Sequence, residues 1–122
     1  MGVNVTIRDQ SSTGRQAGEL VLEDIPAAIA LHELIRTRVR EEVARHNARP
    51  GSEFSGLVTP EGDPEKRRID WQAQADVAID AFTRNGFFVL VDGQQVTELD
   101  AELALDADSD VRFVRLVALV GG

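Results

Sequence analysis

The sequence predicts an α+β fold: a mixed β-sheet with one main helix packed across it, an inserted loop and a second helix. Three observations predict it. The chain opens on residues that alternate apolar with polar, continues through a run with helical periodicity, and closes on a segment that is apolar at nearly every position. A strand solvated on one face, an amphipathic helix and a strand buried on both faces are the elements such patterns form.

Val3-Asn4-Val5-Thr6-Ile7 has the period of a half-buried strand, and Gly14 and Gly18 bracket a polar turn before Glu19-Leu20-Val21-Leu22, so an N-terminal hairpin is expected. Asp24 and Pro26 then punctuate the chain. Ile29, Leu31, Leu34, Ile35, Val39 and Val43 recur at helical spacing, with Glu33, Arg36, Arg40 and Glu41 mostly on the other side, which predicts an amphipathic helix over Ile29 to Val43. Glu41 and Arg45 at i,i+4 and the mixed signs of charge mark the polar side as a solvated face. From Asn47 to Arg68 the pattern gives way to Pro50, Gly51, Ser52, Ser55, Gly56, Pro60, Gly62 and Pro64, the composition of a long loop inserted over residues 47–68. Phe54, Leu57 and Val58 interrupt it, as a cluster packed back on the domain or as a contact surface, with packing preferred.

Asp70 is a good helix N-cap, and Trp71, Ala75, Ala78, Ile79 and Phe82 follow at helical spacing until Asn85-Gly86, a left-handed helix stop. This is the second helix. Phe87 to Val91 is a continuous apolar run that ends at Asp92-Gly93, a strong hairpin signal, with Gln94-Gln95-Val96 as the short return strand. A polar stretch with Leu99, Leu103 and Leu105 leads to Val111 to Val120, apolar except at Arg112, Arg115 and small Ala118, as expected of a strand at the centre of a sheet.

Composition narrows the function. The 122 residues fit one domain, and a chain of this length buries roughly 65% of the surface its unfolded form exposes, so a core without staples is expected. With no cysteine there is no disulfide, thiolate metal site or cysteine nucleophile. No signal-peptide pattern opens the chain and no apolar run reaches membrane length, which makes the cytoplasm the expected location and a membrane an unexpected partner. A net charge of −8 with no large basic stripe argues against nucleic acid and for protein partners. Lys66 is the one lysine beside twelve arginines, and codon bias accounts for that.

Strand, turn, strand, helix, connection, strand, short strand and a last buried strand is the element order of a β-grasp, in which the last strand lies parallel beside the first and the helix provides the crossover. The run Val111-Arg112-Phe113-Val114-Arg115-Leu116-Val117-Ala118-Leu119-Val120-Gly121-Gly122 resembles the terminal strand and diglycine of ubiquitin-like proteins, bacterial ubiquitin-like modifiers among them. It is especially similar to the small subunit of molybdopterin synthase and to the thiamine sulfur carrier. Phe87 to Val96 resembles the strand and hairpin these families place before the last strand. Asn47 to Arg84 departs from their minimal pattern, because a long loop and an extra helix stand there.

The resemblance implies a single ubiquitin-like β-grasp domain over residues 1–122, whose Gly121 and Gly122 form an exposed tail activated by a partner and whose Leu119 and Val120 form the part of the tail a partner grips. With no convincing base and nucleophile pair in the sequence, no intrinsic catalysis is expected; the resemblance implies no bound cofactor, ATP being used by a ubiquitin-activating-type adenylating enzyme, with a conjugating enzyme, a peptidase and target proteins as further partners. Glycine suits such chemistry: without a Cβ the backbone threads a narrow channel, and nothing crowds the carbonyl under attack. Two functions share the activated terminus. In one, a protein modifier, it is joined to an amine of a target; in the other, a sulfur carrier, it becomes a thiocarboxylate. The modifier is favoured, since the loop and extra helix enlarge the recognition surface. A non-catalytic β-grasp binding module is the third reading.

Other signals are set aside. Asp106-Ala107-Asp108-Ser109-Asp110 begins like a calcium loop, but Val111 stands where the turn glycine is needed and Val117 where the bidentate glutamate belongs. His32 and His46 lack ligand spacing and read as surface or capping residues. Gly14 and Gly18 lack a phosphate loop's lysine and hydroxyl, and Trp71 reads as core.

Overall fold

The alternation seen in the first strand extends well beyond its apolar centre. The computed structural model describes residues 2–48, 56–58 and 69–116, and in it β1 (Gly2–Ser11) pairs antiparallel with β2 (Gln16–Pro26). Val5 faces Leu22 and Ile7 faces Leu20, so all four side chains lie on one buried face. Gly14, with φ of 88°, makes the turn. Gly18 lies within β2, opposite Asp9, and has no part in that turn. Asp24, at φ of 55°, sits where the strand register shifts between Val3 and Val5, and its N–H donates to the Asn4 Oδ1 at 2.9 Å.

The main helix starts later than its periodicity suggests. Ile29 belongs to a short strand, β3 (Ala28–Ala30), and α1 runs over Leu31–Asn47. Ala30 has no side chain to cap the helix. Instead the Leu31 and His32 N–H groups donate to the Ala101 and Leu99 carbonyls, each at 2.9 Å, so a distant segment satisfies the first turn. Asn47, read as the first loop residue, is the last of the helix. The predicted stripe of Leu31, Leu34, Ile35, Val39 and Val43 is buried, and Arg38 and His46 are buried with it. His46 therefore corrects the surface reading given to both histidines.

The second helix, α2 (Trp71–Thr83), begins where Asp70 accepts a hydrogen bond from the Gln72 N–H at 3.0 Å and ends before Asn85, at φ of 61°. It packs on α1, and Trp71 is half-buried with the Arg36 and Arg40 guanidiniums 5.3 and 5.8 Å from its ring centre. Beyond it come β4 (Phe87–Val91), the Asp92-Gly93 turn with both residues at positive φ, and β5 (Gln94–Val96). A further short strand, β6 (Glu102–Ala104), pairs with β3 through Ile29 and Leu103, an element that the polar composition of this stretch did not indicate. The last strand is β7 (Val111–Arg115).

The five-stranded sheet has the order β2-β1-β7-β4-β5. β7 runs parallel to β1, from Ile7 opposite Val111 to Ser11 opposite Arg115, and antiparallel to β4. This is the expected mixed sheet with the last strand at its centre beside the first, α1 across one face and α2 beside α1: an α+β architecture of the β-grasp type. Val111 and Phe113 are buried against α1, and Val114 is buried on the opposite face. Among the described residues no helix is long and apolar enough to cross a membrane.

The insertion is tied at its base. The Asn47 side-chain amide donates to the Ile69 carbonyl and accepts from the Ile69 N–H, both at 3.0 Å, closing residues 48–68 as a strand pair would. Leu57 is buried in the core, as the packing reading expected, and the Gln74 Nε2 donates to the Val58 carbonyl at 2.6 Å. Phe54 and Lys66 lie outside the described residues. Two part-buried hydrogen bonds of about 1 kcal/mol each predict that Asn47→Ala lowers stability by about 1–2 kcal/mol. Urea denaturation would show it as a lower midpoint at unchanged slope, and hydrogen exchange would show the Ile69 amide losing protection first.

Candidate functional site at the root of the C-terminal segment

Ladder alternation places Asp9 of β1, Phe113 and Arg115 of β7 and Phe87 of β4 on the face that α1 covers. On α1, Arg38 and Glu42 stand one turn apart on the same stripe as Leu31 and Ile35, so two charges enter the space between helix and sheet. The Arg38 side chain is only 2% exposed. Its Nη1 and Nη2 donate to the two Asp9 oxygens at 2.5 and 2.6 Å, and its Nε donates to the Glu42 Oε1 at 3.0 Å. The guanidinium carbon also lies 4.7 Å from the centre of the Phe113 ring. That ring stacks on Phe87 at 5.7 Å, and Phe87 meets Phe82 edge-on at the same distance.

Arg115 completes the cluster from the end of the last strand. Its Nη2 donates to the Asp9 Oδ2 at 3.4 Å, so Asp9 accepts from two arginines on two elements. The next residue, Leu116, donates its N–H to the Gly86 carbonyl at 3.2 Å and exposes its side chain. Leu116 is the last described residue, one beyond the end of β7. Leu119, Val120, Gly121 and Gly122, the tail residues singled out by sequence, lie outside the described residues; what is described is the strand that precedes them.

Electrostatics at the root are set by burial and pairing together. Burial works against the Arg38 charge, but the hydrogen bonds to Asp9 and the charges of Glu42 and Asp9 outweigh it and raise its pKa. Glu42 is the weaker partner: burial pushes its carboxyl above the ordinary glutamate range despite the pull of Arg38. Asp9, Arg38, Glu42 and Arg115 were not identified as a unit from sequence. The available signal was the Arg38 and Glu42 pair at i,i+4, on the apolar side of the helix rather than opposite it.

The acidic run before β7 is occupied with its own backbone. The Asp108 N–H donates to the Asp106 Oδ1 at 2.8 Å, the Asp106 N–H to the Ser109 Oγ at 2.9 Å and the Asp110 N–H to the Asp92 Oδ1 at 2.9 Å. The last of these, with the Asp92 N–H to Asp110 carbonyl bond at 2.8 Å, fastens the β4-β5 turn to the start of β7. Among the described residues no group of His, Asp or Glu is placed to hold a metal ion.

Removing the shared cation should be far worse than neutralising one carboxylate. Arg38→Met leaves Asp9 and Glu42 buried against each other and is expected to cost about 3–5 kcal/mol, whereas Glu42→Gln leaves Arg38 paired with Asp9 and should cost less. The pH dependence separates them further. Because the folded Glu42 holds its proton after the unfolded chain has released it, its contribution falls as pH rises from about 4.3, the ordinary glutamate value, through the raised one, and is level above it. Urea denaturation over that window should find this loss in the parent and not in Glu42→Gln. In comparisons with known proteins, no protein-family model, no curated protein and no solved structure matches this chain.

Proposed function

We propose that the protein is a ubiquitin-like modifier whose Gly121-Gly122 terminus is adenylated by a partner enzyme and then joined to amines of target proteins. The observation that carries this reading is the place of β7: parallel to β1, antiparallel to β4, and ending at Arg115, seven residues before Gly122. Paired on both sides and anchored through Arg115 to Asp9, the strand gives the residues that follow it a stiff base. A tail must enter a partner's channel without dragging on its own domain, and a root held on both sides suits that requirement.

The chemistry balances as follows. A Gly122 carboxylate oxygen attacks the α-phosphorus of ATP and pyrophosphate leaves, making an acyl-adenylate held by the partner. A target amine then attacks the acyl carbon, AMP departs with the anhydride oxygen, and the amine loses a proton to leave an amide. This chain contributes the unhindered acyl carbon of Gly122 and the approach allowed by Gly121. Adenylation and conjugation are the partner's work.

Trypsin offers a direct test, because Arg115 is the last basic residue before the terminus. Digested proteins from the native host should carry Leu-Val-Ala-Leu-Val-Gly-Gly in amide linkage on lysine side chains, and replacing Gly122 by a bulky residue should abolish these adducts. Absence of the remnant, with the terminal oxygen of the intact protein replaced by sulfur, would overturn the modifier reading in favour of a carrier. Absence of both, with a chain lacking Gly121-Gly122 still functional in the host, would overturn activation altogether.

A further inference from the structure

β5 stops short of its neighbour. It pairs only with Val89 to Val91, so β4 continues through Phe88 and Phe87 without a strand on that side. Two separate observations fix which way the backbone groups point there. Val91 and Gln94 flank a two-residue turn with both φ values positive, which makes them a hydrogen-bonded pair, and alternation then directs the N–H and C=O of Val89 and Phe87 towards the β5 side. On the opposite side the Leu116 N–H reaches the Gly86 carbonyl, so Gly86, Phe88 and Leu90 are the residues that face β7. Phe87 therefore presents its N–H and C=O to the line a longer β5 would occupy. Among the described residues, no backbone hydrogen bond outside the sheet ladders engages either group.

A cleft of about 510 Å³ lies along that line. Phe82, Phe87, Phe88 and Leu99 provide its apolar lining, and exposed Glu98 and Asp100 stand at its rim. Neither carboxylate has an ion-pair partner among the described residues. The volume lies within the range of about 300–1,000 Å³ usual for ligand clefts. An unpaired strand position, a slot for a large apolar side chain and an acidic rim select for one kind of occupant: extended backbone carrying an apolar anchor and a cation.

We propose that this cleft takes a short extended segment of a partner protein, laid beside Phe87 as the continuation of β5, with a large apolar side chain between Phe82 and Leu99 and a lysine or arginine at Glu98 and Asp100. Backbone pairing at Phe87 supplies register, the aromatic lining supplies the anchor site, and the rim sets the sign of charge. The site is independent of what happens at Gly121-Gly122.

Selection of a phage-displayed library of random peptides on the full chain tests this. Enriched sequences should join a large apolar residue to a neighbouring Lys or Arg, and a synthetic peptide of such a sequence should shift the amide resonances of Phe87, Phe88 and residues 97–100. The Glu98→Lys, Asp100→Lys double variant, with both changes on exposed side chains, should keep its circular dichroism spectrum and bind the peptide about tenfold more weakly. A chain lacking Gly121-Gly122 should bind as the parent does. No enrichment, enrichment of acidic sequences, shifts confined to another face, or unchanged affinity in the double variant would each overturn the proposal.

Discussion

Asp9 is the point on which helix, first strand and last strand converge. Its two oxygens take the Arg38 guanidinium from α1, and one of them also takes Arg115 from the end of β7. Burying three charges between a helix and a sheet is unfavourable unless each is paired, and here Arg38 meets both carboxylates while stacking on Phe113. The pairing also constrains geometry. Since side chains alternate with period two, a one-residue slip of β7 against β1 would carry Phe113 and Arg115 to the opposite face and leave Asp9 and Arg38 with one cation fewer and no ring.

That constraint bears on the tail because it acts at the last strand position. Arg115 is both the end of β7 and, with a part-exposed side chain, a partner of Asp9, and Leu116 adds one more backbone bond, to Gly86. The neighbouring acidic turn serves the other end of the strand, where Asp92 and Asp110 fasten it to the β4-β5 hairpin. β7 is thus tied at its beginning by a backbone and side-chain clasp and at its end by ion pairs. A protein that works through a projecting terminus needs such a base, and this is the physical link between the sheet and the proposed conjugation.

Much of the frame is legible in the residues themselves, wherever a local pattern and its tertiary environment agree. Asp70 caps, Asn85 stops a helix and Asp92-Gly93 turns a hairpin because each acts through its own backbone or its immediate neighbours. The misreadings lie where distant partners decide. Ile29 has helical spacing with Leu31 and its successors but is drawn into a strand by Leu103, while Ala101 and Leu99 cap the helix that follows. Arg38 and Glu42 lie on the apolar side of the helix, and the partner that Arg38 meets there is Asp9, which stands on a distant strand that no local pattern connects to them. Asn47 reads as loop composition, and its role in closing the insertion depends on Ile69, which no short-range pattern connects to it. The site was the less legible part: the sequence pointed to Gly121-Gly122, while the residues that hold its root are scattered over β1, α1 and β7.

β7 is held to its last residue, and the Leu116 N–H that follows is held to Gly86. Native-state hydrogen exchange of the Leu116 amide, the donor to Gly86, measures this directly. Leu116 is expected to exchange with the same free energy and the same urea dependence as Phe113 at the centre of the strand, that is, only through global unfolding. Exchange of Leu116 through local fraying, fast and insensitive to urea while Phe113 stays protected, would contradict it.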